Sequence, residues 1–283
     1  MRAAALLAGG DSGAPRCGHL ASNSKLWALK SPVSLGAVRT LVTDLQASGV
    51  ARPIAIGGAS ELARLLEREL SRGGDPSAVR TGDPAGAAVY VHVATGDDER
   101  DLRAARRARV PIVAVVSGDA TPPYVLATDV VRIGPGEGLP VDAVAEAIAV
   151  RLGEEGAPVA ARLPVLRGPV CDRIVASFAR KNGIVGAAVF VPGADLPVLA
   201  LNEVRMLLRL EQAYGLDPDL RERLPEIVAT VAAGFGLRTV ARELLDLLPF
   251  WGWTVKGGVA YAGTRALGEA ALRRLALTGK PRV

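Results

Sequence analysis

The chain has 283 residues, enough for two domains of ordinary size, and 49% of them are hydrophobic while only 4% are aromatic. Its formal net charge is +5, and the basic residues form no stripe interleaved with aromatic residues, which argues against a nucleic-acid-binding protein. The two cysteines, Cys17 and Cys171, lie far apart, so the composition excludes a disulfide-rich secreted protein and favours a cytoplasmic one.

The first half of the chain predicts a tail followed by an α/β domain. Residues 1–30 are rich in Gly, Ala and Ser and are expected to form a flexible tail. Over residues 31–153, apolar positions at helical spacing alternate with short apolar runs that lack polar alternation. The runs predict strands at residues 52–56, 87–93, 112–116 and 129–133, and helices are predicted at residues 35–49, 60–72, 98–109 and 141–152. This order predicts a small parallel sheet covered by helices on both faces.

The second half of the chain predicts helices only. Gly, Pro and Ala over residues 153–167 indicate a linker, and residues 164–278 are expected to form an all-α domain. Its helices are predicted at residues 169–190, as one helix or two, and at residues 195–215, 224–248 and 253–277. No stretch reaches the roughly 18 uninterrupted apolar residues of a simple membrane span. A single-span anchor is therefore not expected, whereas shallow or hairpin insertion stays open.

The turn after the first strand is where a phosphate-binding loop would lie. Such a loop needs a Gly-rich turn, a Lys that reaches the terminal phosphates, and a Ser or Thr that binds magnesium. Gly57, Gly58 and Ser60 supply a turn and a helix start, but Leu62 and Ala63 stand where the motif needs Gly and Lys. We therefore expect no cofactor. Gly57, Gly58 and Ser60 are only weak candidates for binding a cofactor, and that cofactor would be GTP or GDP.

Other polar motifs do not assemble into a catalytic or metal site. Residues 83–86 resemble a GTPase phosphate sensor but precede a strand directly, so we interpret them as a turn, and residues 117–120 lack the guanine-binding Asn-Lys-x-Asp pattern. Cys17 and His19 are too few ligands for a metal site. His92, in a buried strand, is interpreted as a core histidine. The sequence predicts no catalytic residue and no metal ligand.

Several charged residues interrupt the apolar faces of the helical part. They are Arg238, Arg242, Glu243, Lys256, Arg265 and Glu269. Two interpretations stay open: a solvated stripe, or buried ion pairs and a polar groove for a partner. Cys171, which lies among apolar neighbours on a helix, is expected to be a buried small residue.

A pattern of glycines, prolines and polar residues extends through the helical part. It begins with the run from Arg180 to Leu199, Arg-Lys-Asn-Gly-Ile-Val-Gly-Ala-Ala-Val-Phe-Val-Pro-Gly-Ala-Asp-Leu-Pro-Val-Leu, and continues to residue 271. Its motif residues are Pro192, Gly193, Asp195, Pro197, Asn202, Arg205, Tyr214, Gly215, Gly236, Arg238, Arg242, Lys256, Gly257, Tyr261, Thr264 and Gly268. In this pattern, over about residues 164–275, the chain resembles domain-of-unknown-function family 697.

The resemblance carries expectations about the whole chain. Domains of this family are often found beside small GTPase domains, and some relatives are membrane-associated. The resemblance therefore implies that residues 31–153 are similar to a P-loop GTPase domain, here a degenerate one because every nucleotide motif is missing or broken. It implies no catalytic activity.

We expect a non-catalytic cytoplasmic protein with two domains. A GTPase-like scaffold is joined to a helical module that docks on a protein partner or peripherally on the inner membrane face, with no nucleic acid bound. One alternative is a GTPase-related enzyme that binds nucleotide through an atypical phosphate loop. Another is a soluble structural subunit, and homo-oligomers stay open.

Overall fold

The structure is a computed structural model that describes residues 40, 51–188, 196–216 and 252–278. The strands are β1 (Ile54–Gly58), β2 (Val79–Thr81), β3 (Tyr90–Val93), β4 (Ile112–Ser117) and β5 (Val130–Ile133). The helices are α1 (Ser60–Leu70), α2 (Glu99–Arg107), α3 (Val141–Leu152), α4 (Ala157–Arg162), α5 (Pro164–Ala188), α6 (Leu196–Ala213) and α7 (Gly252–Thr278). The predicted tail and the predicted helix at 224–248 lie outside the described residues, as does the predicted helix at 35–49 apart from the helical residue 40.

The five strands form one parallel sheet in the order β2-β1-β3-β4-β5. Strand β1, second in this order, pairs with β2 through Ala55 and Arg80, and with β3 through Gly58 and Val93. The chain runs from β1 to the edge strand β2 and then crosses back to β3, so the strand order reverses between β1 and β3. In open sheets of this kind, the carboxyl ends of the strands leave a crevice at the point of reversal.

The two faces of the sheet are covered by different elements. Ile54 and Ile56 of β1 belong to the larger core, which includes residues of α1 and α3. Ala55 and Tyr90 belong to a smaller core on the opposite face, together with Leu102 of α2. Side chains alternate along a strand, so β1, β3 and β4 each contribute to both cores. The prediction of an α/β parallel sheet with helices on both faces, followed by helices, is confirmed.

The long helix α5 runs antiparallel to α7. Gly186 of α5 lies against Ala260 of α7, and Val175 of α5 lies against Gly268 of α7, so the chain directions are opposite. A Cβ atom built on Gly186 would lie 2.9 Å from the Cβ of Ala260. The small residues therefore allow the two helix backbones to approach closely.

Residues 153–167, predicted to be a linker, are helical and largely buried. Ala157, Ala160 and Leu163 are fully buried. Pro158 lies in the first turn of α4, where a helix loses no hydrogen bond to proline. One apolar core continues from the sheet through α4 into the helices that follow. The division into two domains stays a prediction.

Candidate functional site

A crevice of about 560 Å³ opens at the carboxyl ends of β1 and β2. It is lined by the end of β1, the first half of α1, the loop after β2, Tyr90 of β3, and α2. This is the side of the sheet and the point of strand reversal at which open α/β sheets bind ligands. Gly57, Gly58 and Ser60, the weak candidates from the sequence, all line it, so the structure brings them together.

Two glycines end β1, at positions where atoms of neighbouring residues lie too close for a side chain. Gly58 has a φ of +92°, and a Cβ atom there would lie 1.8 Å from the backbone oxygen of Val93. A Cβ atom on Gly57 would lie 2.1 Å from the hydroxyl oxygen of Tyr90, whose side chain is buried. At Gly58 the neighbour is backbone and φ is positive, so only glycine fits, and at Gly57 a side chain would displace the buried Tyr90.

The crevice receives the amino-terminal end of α1. Ala59 is the N-cap residue, and no side chain caps the helix. The first amide groups of a helix have no partner inside it and carry partial positive charge, so this end attracts an anion. Arg64, one turn further on, lines the crevice as well. The side chain of Glu61 is 86% exposed, and its contact of 3.5 Å with Arg64 is a weak surface ion pair.

Charged residues of both signs complete the lining. Arg100 and Asp101 come from α2, and Asp83 comes from the loop after β2. The Asp83 carboxylate accepts a hydrogen bond from the backbone amide of Ala85 at 2.9 Å, which agrees with the turn predicted for residues 83–86. Asp83 is thus engaged in its own loop. Arg64 and Arg100 supply cations to the crevice from two different helices.

A chain of three buried side chains begins at the wall of the crevice. The hydroxyl of Tyr90 lies 3.2 Å from Nδ1 of His92, and Nε2 of His92 lies 2.9 Å from Oδ1 of Asp98. Tyr90 and His92 are each 1% exposed, and Asp98 is 8% exposed. Asp98 also accepts hydrogen bonds from the amide and hydroxyl of Thr95 and from the amide of Gly96. The three side chains therefore connect the crevice to the carboxylate of Asp98, which accepts hydrogen bonds from His92, Thr95 and Gly96.

The pKa values of Asp98 and Tyr90, the two outer members of this group of three side chains, are shifted in opposite directions. Burial acts to raise the pKa of Asp98, but the hydrogen bonds from His92, Thr95 and Gly96 outweigh it and hold that pKa at about 2. Burial, followed by the charges of Asp101 and Asp98, raises the pKa of the Tyr90 phenol. At neutral pH the carboxyl is therefore ionised and the phenol keeps its proton.

Sequence reasoning found His92 to be a buried residue but missed its partners. The interpretation of His92 as a core histidine agrees with its burial. Tyr90 and His92 lie two residues apart on one strand, so they share a face of the sheet. Asp98 follows in the turn that begins the next helix. Tyr-x-His on a buried strand, followed by a Thr-Gly-Asp-Asp turn, is the sequence signal that would have grouped the three residues.

Two residues of the family-697 pattern, Asn202 and Thr264, lie in a buried polar cluster between α5, α6 and α7. Asn182 of α5 donates to the hydroxyl of Thr264 at 2.9 Å and accepts from the side-chain amide of Asn202 at 2.8 Å. Thr264 in turn donates to Glu203 of α6 at 3.2 Å. Asn182, Glu203 and Thr264 are fully buried. These contacts connect α5, α6 and α7, so Asn202 and Thr264 serve the packing of the helices.

Other residues of the pattern serve helix contacts and helix ends. A Cβ atom on Gly257 would lie 2.9 Å from the backbone oxygen of Gly183, and one on Gly268 would lie 2.7 Å from a methyl group of Val175. Gly215, with a φ of +69°, follows the end of α6. Tyr214 lies beneath the guanidinium of Arg167, which is 5.2 Å from the ring centre. Each of these residues therefore has a structural role.

The remaining pattern residues do not converge on one site among the described residues. Pro197, Arg205 and Tyr261 are exposed, and Lys256 is half-buried. Pro192, Gly193, Asp195, Gly236, Arg238 and Arg242 lie outside the described residues, as does Glu243. Arg265 and Glu269 form an exposed ion pair at 2.9 Å, which favours the solvated-stripe interpretation for these two residues.

Three further expectations concern a metal site, the cysteines and a membrane span. Cys17 and His19 lie outside the described residues, and within residues 51–188, 196–216 and 252–278 no group of three potential ligands could hold a metal ion. Cys171 is buried, and burial raises the pKa of its thiol to about 12, as expected for an inert small residue. Among the helices of that same part of the chain, none has both the length and the apolar character needed to cross a membrane.

Comparison with known proteins gives no relative. No protein-family model, no curated protein and no solved structure matches this chain. The resemblance to family 697 stays a prediction.

Proposed function

We propose that this protein binds a small anionic ligand, of the phosphate or nucleotide class, in the crevice and does not hydrolyse it. The observation that carries the proposal is the uncapped amino-terminal end of α1, which faces a crevice at the strand reversal of a parallel sheet. Backbone amides at such a helix end bind phosphate groups without any charged side chain. Arg64 and Arg100 add two cations that can donate hydrogen bonds to the same anion.

The residues around the helix start argue against hydrolysis. Phosphate-loop enzymes place a Lys on the terminal phosphates and a Ser or Thr on magnesium. Leu62 and Ala63 occupy the corresponding region of α1, and Ala63 is buried. The proposed role is therefore binding, as in a sensor or a scaffold. Under the family resemblance, residues 31–153 would be a degenerate GTPase-like domain, and a guanine nucleotide is the first ligand to test.

The test is calorimetric titration of the full chain with pyrophosphate and with GDP. The double variant Arg64→Ala/Arg100→Ala removes both cations of the crevice. The double variant Arg68→Ala/Arg107→Ala is the matched control, because it removes two exposed arginines from the same two helices outside the crevice. We expect the first variant to bind about tenfold or more weakly, since a charge-assisted hydrogen bond contributes about 1.5–3 kcal/mol.

The control should bind like the wild type. Absence of saturable binding to the wild type, or equal weakening by both variants, would contradict the proposal. In the second case the arginines would act only through the net charge of the protein.

A further inference from the structure

We infer that the Tyr90–His92–Asp98 chain makes the inner wall of the crevice a hydrogen-bond acceptor, so that the ligand combines an anionic group at α1 with an N–H or O–H donor at Tyr90. This inference rests on the proposed function, because it describes the ligand of the same crevice. It adds which kind of group the ligand must present to the wall that Tyr90 forms. The inference follows from which group donates and which group accepts in each hydrogen bond between Tyr90, His92 and Asp98.

Asp98 determines the direction in which the three side chains donate their hydrogen bonds. Every group within hydrogen-bond distance of its carboxylate is a donor: the amide of Thr95 at 2.7 Å, the hydroxyl of Thr95 at 2.8 Å and the amide of Gly96 at 3.2 Å. An ionised carboxylate accepts hydrogen bonds only. The fourth contact, Nε2 of His92 at 2.9 Å, must therefore carry a proton.

The proton on Nε2 decides what Nδ1 does. In the neutral imidazole one ring nitrogen carries the proton and the other carries a lone pair, so Nδ1 of His92 is the acceptor. The only described group that donates to it is the hydroxyl of Tyr90, at 3.2 Å. Tyr90 thus gives its single proton to His92. A buried chain whose members are all bonded holds each of them in one orientation.

The oxygen of Tyr90 then acts as an acceptor at the wall of the crevice, which the 1%-exposed Tyr90 side chain lines. Its proton points to His92, and no other described residue donates to its lone pairs. The hydroxyl lies against Gly57, and both residues line the crevice. Asp101 lines the crevice too and is close enough for its charge to act on Tyr90. A hydroxyl or amino group of a ligand can donate a hydrogen bond to this oxygen, whereas a second anionic group cannot.

The crevice therefore presents two kinds of group. The helix start with Arg64 and Arg100 takes an anion, and the hydroxyl oxygen of Tyr90 takes a donor. Phosphate esters that carry hydroxyl or amino groups, such as nucleotides and sugar phosphates, have both features. A volume of about 560 Å³ lies in the range that holds small-molecule ligands.

The test compares pyrophosphate with GDP, which carries the same diphosphate plus ribose and base donors. Tyr90→Phe should weaken GDP binding by about five- to 150-fold, the range expected for an unmade buried hydrogen bond. It should leave pyrophosphate binding within about twofold, because pyrophosphate contacts the helix start and the two arginines but has no ribose or base donor for Tyr90. Tyr124→Phe is the control, since Tyr124 is exposed and does not line the crevice. It should change neither affinity.

The outcomes separate this inference from the proposed function. Failure of pyrophosphate to bind the wild type contradicts the proposed function. Pyrophosphate binding with equal effects of Tyr90→Phe on both probes overturns the inference alone.

A second measurement tests the inference without any ligand. Nitrogen-15 spectra of the wild-type histidine ring should show a proton on Nε2 of His92 and none on Nδ1 at pH 7. A proton on Nδ1 would turn the Tyr90 hydroxyl toward the crevice as a donor and would overturn the inference.

Discussion

Asp98 is a buried carboxylate that stays charged because its neighbours are all donors. The hydrogen bonds from His92, Thr95 and Gly96 outweigh the effect of burial and keep its pKa near 2. The usual value is 3.8, so the folded protein holds the proton less tightly than the unfolded chain. The ionised form therefore stabilises the fold above about pH 4, and this contribution is lost as the pH falls from about 4 to about 2.

We expect Asp98→Asn to lower the free energy of unfolding at pH 7 by about 2 kcal/mol, the value that corresponds to this pKa difference. The variant should also lose the part of the acid destabilisation that belongs to Asp98. Urea unfolding between pH 2 and pH 7 measures both effects. The adjacent exposed residue gives the control Asp97→Asn, which should keep the wild-type pH profile. Identical profiles for the two variants would contradict the assignment.

At the residue scale, the sequence predicts burial better than it predicts partners. His92 lies in an apolar run, so its burial follows from the pattern. Gly57 and Gly58 were predicted to form a turn after the strand, whereas they are the last two residues of β1. The hydrogen bond to Asp98 depends on the path of residues 94–98, which hydrophobic periodicity does not encode. The crevice depends on which strands are neighbours, and a single sequence does not give the strand order.

At the element scale, glycines inside helices have two different roles. A Cβ atom on Gly186 would lie 2.9 Å from the Cβ of Ala260 and 3.2 Å from the backbone oxygen of Lys256. A Cβ atom on Gly258 would meet nothing within 4 Å. Both glycines lie in helix interiors, so both pay the same conformational cost relative to alanine. The contact between α5 and α7 is what distinguishes them.

We expect Gly258→Ala to raise the free energy of unfolding by about 1 kcal/mol, because alanine favours the helix. Gly186→Ala should lower it by about 1–3 kcal/mol, because the added methyl group forces α5 and α7 apart. Denaturant titration of the two variants measures the difference. If both substitutions stabilised the protein, the close contact between these helices would be wrong.

Element boundaries were predictable where composition and packing agree. The bounds of α3 match the predicted 141–152, since its apolar stripe faces the core and Gly153 ends it. The edge strand β2 was missed, because three residues are too few to show a period. The expected linker is helical, because alanines pack in a helix as readily as they occur in loops. Pro169 lies inside α5 instead of starting it.

At the scale of the whole molecule, the sheet and the last helices are joined by polar contacts as well as by the shared core. Arg162 of α4 contacts Asp75, in the loop after α1, at 2.9 Å, and hydrogen bonds from Ser77 and Arg162 lower the pKa of that carboxyl. Arg209 of α6 contacts Glu155 at 3.0 Å. These contacts link the loop after α1 to α4, and the turn before α4 to α6. Docking of the helical module on a protein partner or on the inner membrane face stays a prediction from the family resemblance.

The central claim is that an anion binds at the start of α1, and the most direct measurement is a proton–nitrogen-15 correlation spectrum of the full chain titrated with pyrophosphate. The amide signals of Gly58, Ser60 and Glu61 should shift most and should saturate together with one dissociation constant. The amides of the outer face of α2, at Arg103 and Arg107, should shift little. Shifts concentrated at those arginines, or none at the start of α1, would contradict the account.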